Sequence, residues 1–120
     1  PLGGGPRIRS IRDLGKITAL WGDVQLGSNH PNAYGTPSAV EEFFIPKTVT
    51  SIGRNAFAGL VNLNFIVSYP TKPPTLSANA GLNSSNCPIY VPDASVTAYR
   101  EASGWIDYAD RIKPLSEYTE

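Results

Sequence analysis

The chain has 120 residues, the size of one domain, with 41% hydrophobic and only 17% charged residues. Ten basic residues balance ten acidic ones, and Arg7, Arg9 and Arg12 are too few to supply the positive field of a nucleic-acid binder. Eleven Gly and eleven Pro exclude a bundle of long helices and demand many short elements joined by turns.

In chain order, residues 1–10 read as a linker or tag-like N-terminus. The chain has no Met and begins at Pro1, as a processed protein or part of a longer one would. Short β-prone runs then recur: Asp23–Leu26, Phe43–Pro46, Phe65–Ser68, Ile89–Pro92 and Arg111–Pro114. Their starts lie 20, 22, 24 and 22 residues apart. A period in the low twenties predicts stacked units that each contribute one strand, the strands running parallel. Pro46 and Pro92 suit strand ends, because proline cannot donate to an interior ladder.

Turn signals separate the runs at Gly27–Asn29, Ser51–Gly53, Pro70–Pro74 and Asn83–Asn86. His30–Pro37 fits no repeat and reads as an insertion loop. Asn55–Leu60 predicts a single helical turn stopped by Gly59, with Ile52, Phe57, Leu60 and Leu63 facing inward. Asp93 is placed to cap a helix from about Ala94 to Ala102, with Gly104 just past its end. Trp105 and Tyr108 should pack beneath that helix. Such a unit shields the open end of a stacked core.

The expected fold is therefore an α/β repeat. Residues 11–37 form a divergent unit, 38–92 regular repeats, 93–115 a capping unit and 116–120 a tail. The segment Ile45-Pro46-Lys47-Thr48-Val49-Thr50-Ser51-Ile52-Gly53-Arg54-Asn55-Ala56-Phe57-Ala58-Gly59 resembles the unit of the BspA-like leucine-rich repeats, approximately I-P-x-[ST]-V-T-x-I-G-x-x-A-F-x-G. Pro73–Leu76, Cys87–Pro92, Val96–Tyr99 and Ser103–Trp105 are similar to the C-terminal end of such proteins in gut Bacteroidetes. The resemblance spans residues 40–115. It implies a short leucine-rich-repeat solenoid with stacked parallel strands and a C-terminal capping helix. Members are surface or secreted bacterial proteins implicated in adhesion, and similar repeats occur in phage structural proteins. Extracellular or cell-surface location is thus the expectation, with a virion as the alternative.

Catalytic motifs are missing from the sequence. There is no G-x-S-x-G, H-E-x-x-H, phosphate-binding loop or G-x-G-x-x-G. His30 is the lone histidine, and Cys87 the lone cysteine, which excludes an intrachain disulfide. Glu41 and Glu42 are adjacent and would point to opposite faces of a strand. Asp107 and Asp110 read as solvated charge rather than a cation site, and no cofactor or metal is expected. Asn83-Ser84-Ser85 matches a glycosylation sequon but reads first as a turn. No window reaches the roughly 18 apolar residues of a membrane span.

The informative constellation is apolar. With Phe43 and Ile45, Phe65 and Val67, and Ile89 and Val91 directed inward, Phe44, Ile66 and Tyr90 would form an outward ladder on three strands. Contiguous exposed apolar surface marks a contact site. Two functions follow from this reading. One is a non-enzymatic module that binds a protein or glycan through the sheet face, as an adhesin or nutrient-capture accessory does. The alternative is a structural component packed against neighbouring subunits of a phage virion or outer-membrane complex.

Overall fold

A computed structural model describes residues 10–11, 16–20 and 40–118. The chain is α/β, with eight short parallel strands in two sheets and few helical turns among the described residues. The strands are β1 (Ser10–Ile11), β2 (Ala19–Leu20), β3 (Glu42–Ile45), β4 (Ser51–Ile52), β5 (Phe65–Ser68), β6 (Thr75–Leu76), β7 (Ile89–Val91) and β8 (Ile112–Pro114). The larger sheet has the order β1-β3-β5-β7-β8 and the smaller one β2-β4-β6. Within each sheet the strands are paired in chain order.

Register follows a constant step. Phe43 pairs with Ile66, Ile66 with Ile89 and Ile89 with Ile112, each 23 residues on. Ile11 pairs with Phe43 and Leu20 with Ile52, both 32 residues apart. The first turn of the chain is therefore nine residues longer, and the shared offset places the excess between Leu20 and Phe43. The strand expected at Asp23–Leu26 and the loop expected at His30–Pro37 lie outside the described residues. The described strands before Val40 are β1 and β2.

The sequence reading does not contain the smaller sheet: it takes Ser51–Gly53 as a turn and places no strand at Ala19–Leu20 or Thr75–Leu76. β4 is fastened by Thr50 N–H and Ser51 N–H to the Thr18 carbonyl and by Gly53 N–H to the Leu20 carbonyl. β6 repeats the pattern one turn later, with Thr75 N–H donating to Thr50 and Ser77 N–H to Ile52. Two-residue strands carry too little alternation to be read from sequence.

Between the sheets lies the core. Phe43, Ile66, Ile89 and Ile112 form one fully buried row, each at 1% exposure or less. Ile45, Val49, Ile52, Ala56, Phe57, Leu60 and Leu63 are buried against it. The rings of Phe43 and Phe57 meet edge to face at 4.9 Å. Asn55–Leu60 is not a helical turn but a run of tight turns, with Ala56 N–H donating to Gly53, Ala58 N–H to Asn55 and Leu60 N–H to Phe57. Asn55 takes a positive φ of 62°, which breaks helical continuity there.

The C-terminal unit departs from the earlier ones. A 3₁₀ turn, Asp93–Ser95, leads into the short helix α1 (Val96–Glu101), and Trp105–Arg111 forms further 3₁₀ turns with a kink at Tyr108. The helix expected over 94–102 is thus shorter and starts later. Asp93 does not cap it, because the carboxylate is spent elsewhere: it accepts the Ser116 N–H at 2.9 Å. Gly104, at φ 85°, does follow the helix. A β-carbon there would sit 2.8 Å from the Leu76 carbonyl oxygen, so glycine lets the last unit close against β6.

Candidate binding face

The outward surface of the larger sheet is built by strand alternation. On β3, Glu42 and Phe44 point away from the core, and on β5 so do Phe65 and Val67. Phe44 pairs with Val67, Val67 with Tyr90 and Tyr90 with Lys113, giving one row across four strands. Phe65 stands opposite Glu42 in the neighbouring row. Tyr69 continues the β5 alternation just beyond the strand, and its N–H donates to the Ile45 carbonyl.

The expected ladder of Phe44, Ile66 and Tyr90 is corrected at its middle rung. Ile66 faces the core at 0% exposure, and Val67 occupies the outward position between Phe44 and Tyr90. Phe65 and Val67, expected inside, belong to the outer face, where Phe65 is half-buried. The cause is a one-residue register slip on β5, which exchanges the two faces of a strand. The run Phe65-Ile66-Val67 is apolar at both parities, so its pattern does not choose. Ser68, polar by type, points inward and is fully buried. Its hydroxyl is 3.0 Å from the Tyr99 Oη, which donates to the Pro70 carbonyl at 2.5 Å.

Aromatic rings dominate this face. Phe44 meets Phe65 edge to face at 5.6 Å and lies nearly parallel to Tyr69 at 6.4 Å. Tyr118 arrives from the chain's end, after a 3₁₀ turn at Leu115–Glu117. Its ring lies 5.0 Å from Phe65, 5.4 Å from Tyr90 and 6.4 Å from Phe44. Phe44 is only 8% exposed and Val67 not at all, so the rings around them close over the middle of the row. Tyr69 remains 41% exposed. The sequence reading left Tyr118 in the tail 116–120, since nothing in local spacing brings a terminal residue back over three strands.

Two shallow clefts lie elsewhere. One, of about 300 Å³, is lined by Lys47, Thr50, Thr71 and Lys72 over Val49 and three prolines. The other, of about 350 Å³, is lined by Leu76, Ser77, Gly104, Asp107 and Tyr108 among others. Asp107 and Asp110 are both exposed, and no three His, Cys, Asp or Glu side chains cluster among the described residues. Glu41 and Glu42 flank the start of β3, and Asn83–Ser84 sits in a 3₁₀ turn. His30 lies outside the described residues.

Among the described residues, titration is perturbed at Tyr99 and Asp93. Burial pushes the Tyr99 phenol up to about 12, with the Ser68 hydroxyl acting in the opposite sense. The Ser116 N–H, aided by the Ser116 hydroxyl and the Leu115 N–H, holds the Asp93 carboxyl below its ordinary value. Cys87 is buried with its sulfur 3.3 Å from the Ser85 hydroxyl, and Arg111 spans the Cys87 and Leu82 carbonyls at 2.7 Å. That arginine is a structural tie which the sequence reading missed. No helix of the described residues is long and apolar enough to cross a membrane. The chain matches no protein-family model and no curated protein.

Proposed function

We propose that the chain is a short leucine-rich-repeat solenoid of the BspA-like kind, working as a non-enzymatic extracellular recognition module. The constant 23-residue register step supports the repeat reading, as does the pairing of strands in chain order within each sheet. Burial of the motif residues Ile45, Val49, Ile52, Ala56 and Phe57 supports the resemblance to that family.

The observation that carries the function is the outer sheet face. Phe44, Phe65, Tyr69, Tyr90 and Tyr118 gather there from three strands and the tail. Tyrosine and phenylalanine give large contact area at low entropic cost, and they supply much of the energy in protein contacts. A sheet face assembled from one or two residues per unit is a common solenoid binding surface. Catalysis has no part in the reading, because the sequence carries none of the motifs that acid–base or nucleophilic chemistry would require.

The test is a binding screen against immobilised extracellular-matrix proteins and glycans, with parent and a Tyr69→Ser/Tyr90→Ser double variant. Binding by the parent and its loss, tenfold or more, in the folded double variant is the expected outcome. Equal binding by both moves the site off this face. A parent that binds nothing in the screen, but co-purifies with a larger native assembly, transfers the face to subunit packing.

A further inference from the structure

We infer that the outer face is a seat for an aromatic side chain carried on a polypeptide segment, and that the chain's own tail, Leu115–Tyr118, occupies this seat until a partner replaces it. The inference rests on the recognition reading above and names the partner's chemistry.

Tyr118 shows what the face accepts. One ring touches Phe44, Phe65 and Tyr90, contributed by β3, β5 and β7, at tilted or edge-on angles of 56–82°. Those angles set ring edges against ring faces, the arrangement that aromatic quadrupoles favour. An aliphatic side chain of similar size would fill the volume without that preference.

The tail is also placed to leave. It belongs to neither sheet, following β8 as a three-residue turn. Ser116 and Glu117 are exposed, while Leu115 and Tyr118 are only half-buried. Beyond the rings, Ser116 N–H donates to Asp93 at an exposed site. Lifting the tail breaks no strand pairing. It would uncover Phe44 and Val67, now 8% and 0% exposed, beside Phe65 and Tyr90. The result is a contiguous apolar centre with a polar edge at Glu42 and Lys113. That is the layout of a contact hot spot, and a partner must cover it as completely as Tyr118 does. A tail tethered next to its seat competes at high effective concentration, so it raises the affinity threshold for partners.

The experiment uses the full chain carrying Tyr118→Ser, and a synthetic peptide with the sequence of residues 114–120 as probe. Titration is followed by NMR, with aromatic resonances of Phe44, Phe65 and Tyr90 as reporters. The variant should bind the peptide saturably with shifts at those three rings. The parent should bind at least tenfold more weakly, and a peptide bearing the Y118S change should not bind. In a second variant, Asp93→Ala, the tail is loosened while the seat stays intact, and peptide binding should be stronger than in the parent. Failure of the Y118S chain to bind, equal binding by parent and variant, or global unfolding of the Y118S chain would each overturn the proposal. A screen partner whose affinity ignores Y118S also overturns it while leaving recognition standing. Peptide binding at the seat without any screen partner does the reverse.

Discussion

The middle of the chain and its C-terminal unit solve the same packing problem with different means. From β3 to β7 each turn closes by backbone pairing: one strand enters the larger sheet and, for two of the turns, a short second strand enters the smaller sheet. After β7 the second strand is replaced by α1 and its flanking turns. Side chains there reach back to carbonyls of the preceding unit. Ser95 Oγ donates to Thr71 at 2.6 Å, Tyr99 to Pro70, and Trp105 Nε1 to Pro74 at 2.8 Å. The segment they grip, Pro70–Pro74, holds three prolines and so has few N–H groups to offer a further strand. Its carbonyls still need donors, and hydroxyl and indole groups provide them. The smaller sheet thus stops at β6, while the larger one continues to β8.

The sharpest way to break this comparison is to remove the C-terminal unit. Deleting residues 93–115 should expose Ile89 and Val91 and abolish soluble, cooperative folding. A monomeric truncated chain with a single sharp unfolding transition contradicts the capping role. Within the middle units the largest single effect should come from Phe57→Ala. Its ring is 1% exposed and packed on Phe43, so truncation should cost about 3–5 kcal/mol in a denaturant titration. An unchanged midpoint would remove Phe57 from the core.

The terminal unit should respond to alkaline pH. The Tyr99 phenol ionises near 10 when unfolded and near 12 when folded. Its contribution is complete below pH 10 and is lost as pH rises towards 12, because only the unfolded chain then ionises freely. The difference amounts to about 2–3 kcal/mol and should be missing from Tyr99→Phe. Urea midpoints at pH 9 and pH 11.5 for the two proteins measure it, and parallel behaviour would contradict a buried neutral phenol. The smallest effect is Ser95→Ala, which deletes one hydrogen bond to Thr71 and should cost about 1 kcal/mol. A loss several-fold larger would mean that this single tie governs docking of the unit.

Legibility in the sequence differed between the same two regions. Apolar runs revealed β3, β5 and β7 to within a residue, and the spacing of those runs placed β8 at Arg111–Pro114 although it carries only one large apolar residue. Eight of the ten residues expected inside lie in the core: Phe43, Ile45, Ile52, Phe57, Leu60, Leu63, Ile89 and Val91. Phe65 and Val67 lie on the outer face, although Val67 is fully buried there, and Ile66 faces the core in their place. Three apolar residues in succession leave face assignment to the neighbours, and only the step from Phe43 through Ile66 to Ile89 decides it. The first residues of the runs, 22 and 24 apart, mask that step. The buried serine at position 68 concealed it further, since its partner Tyr99 comes 31 residues later. In the candidate site, Phe44 and Tyr90 were readable from alternation, whereas Tyr69 and Tyr118 depend on chain reversals outside any strand. Asp93 illustrates a different loss: a good cap residue was drawn to a long-range donor instead.

Side-chain footprinting of the chain with its tightest partner from the binding screen tests the central claim most directly. Hydroxyl-radical labelling reports ring accessibility residue by residue, with Tyr108 and the 56%-exposed Ile106 on the terminal unit as internal controls. Protection of Tyr69, Phe65 and Tyr90 on complex formation, with unchanged labelling of Tyr108 and Ile106, is the expected result. Protection confined to Tyr108 and Ile106, with the sheet-face rings labelled as in the free chain, would contradict recognition through this face.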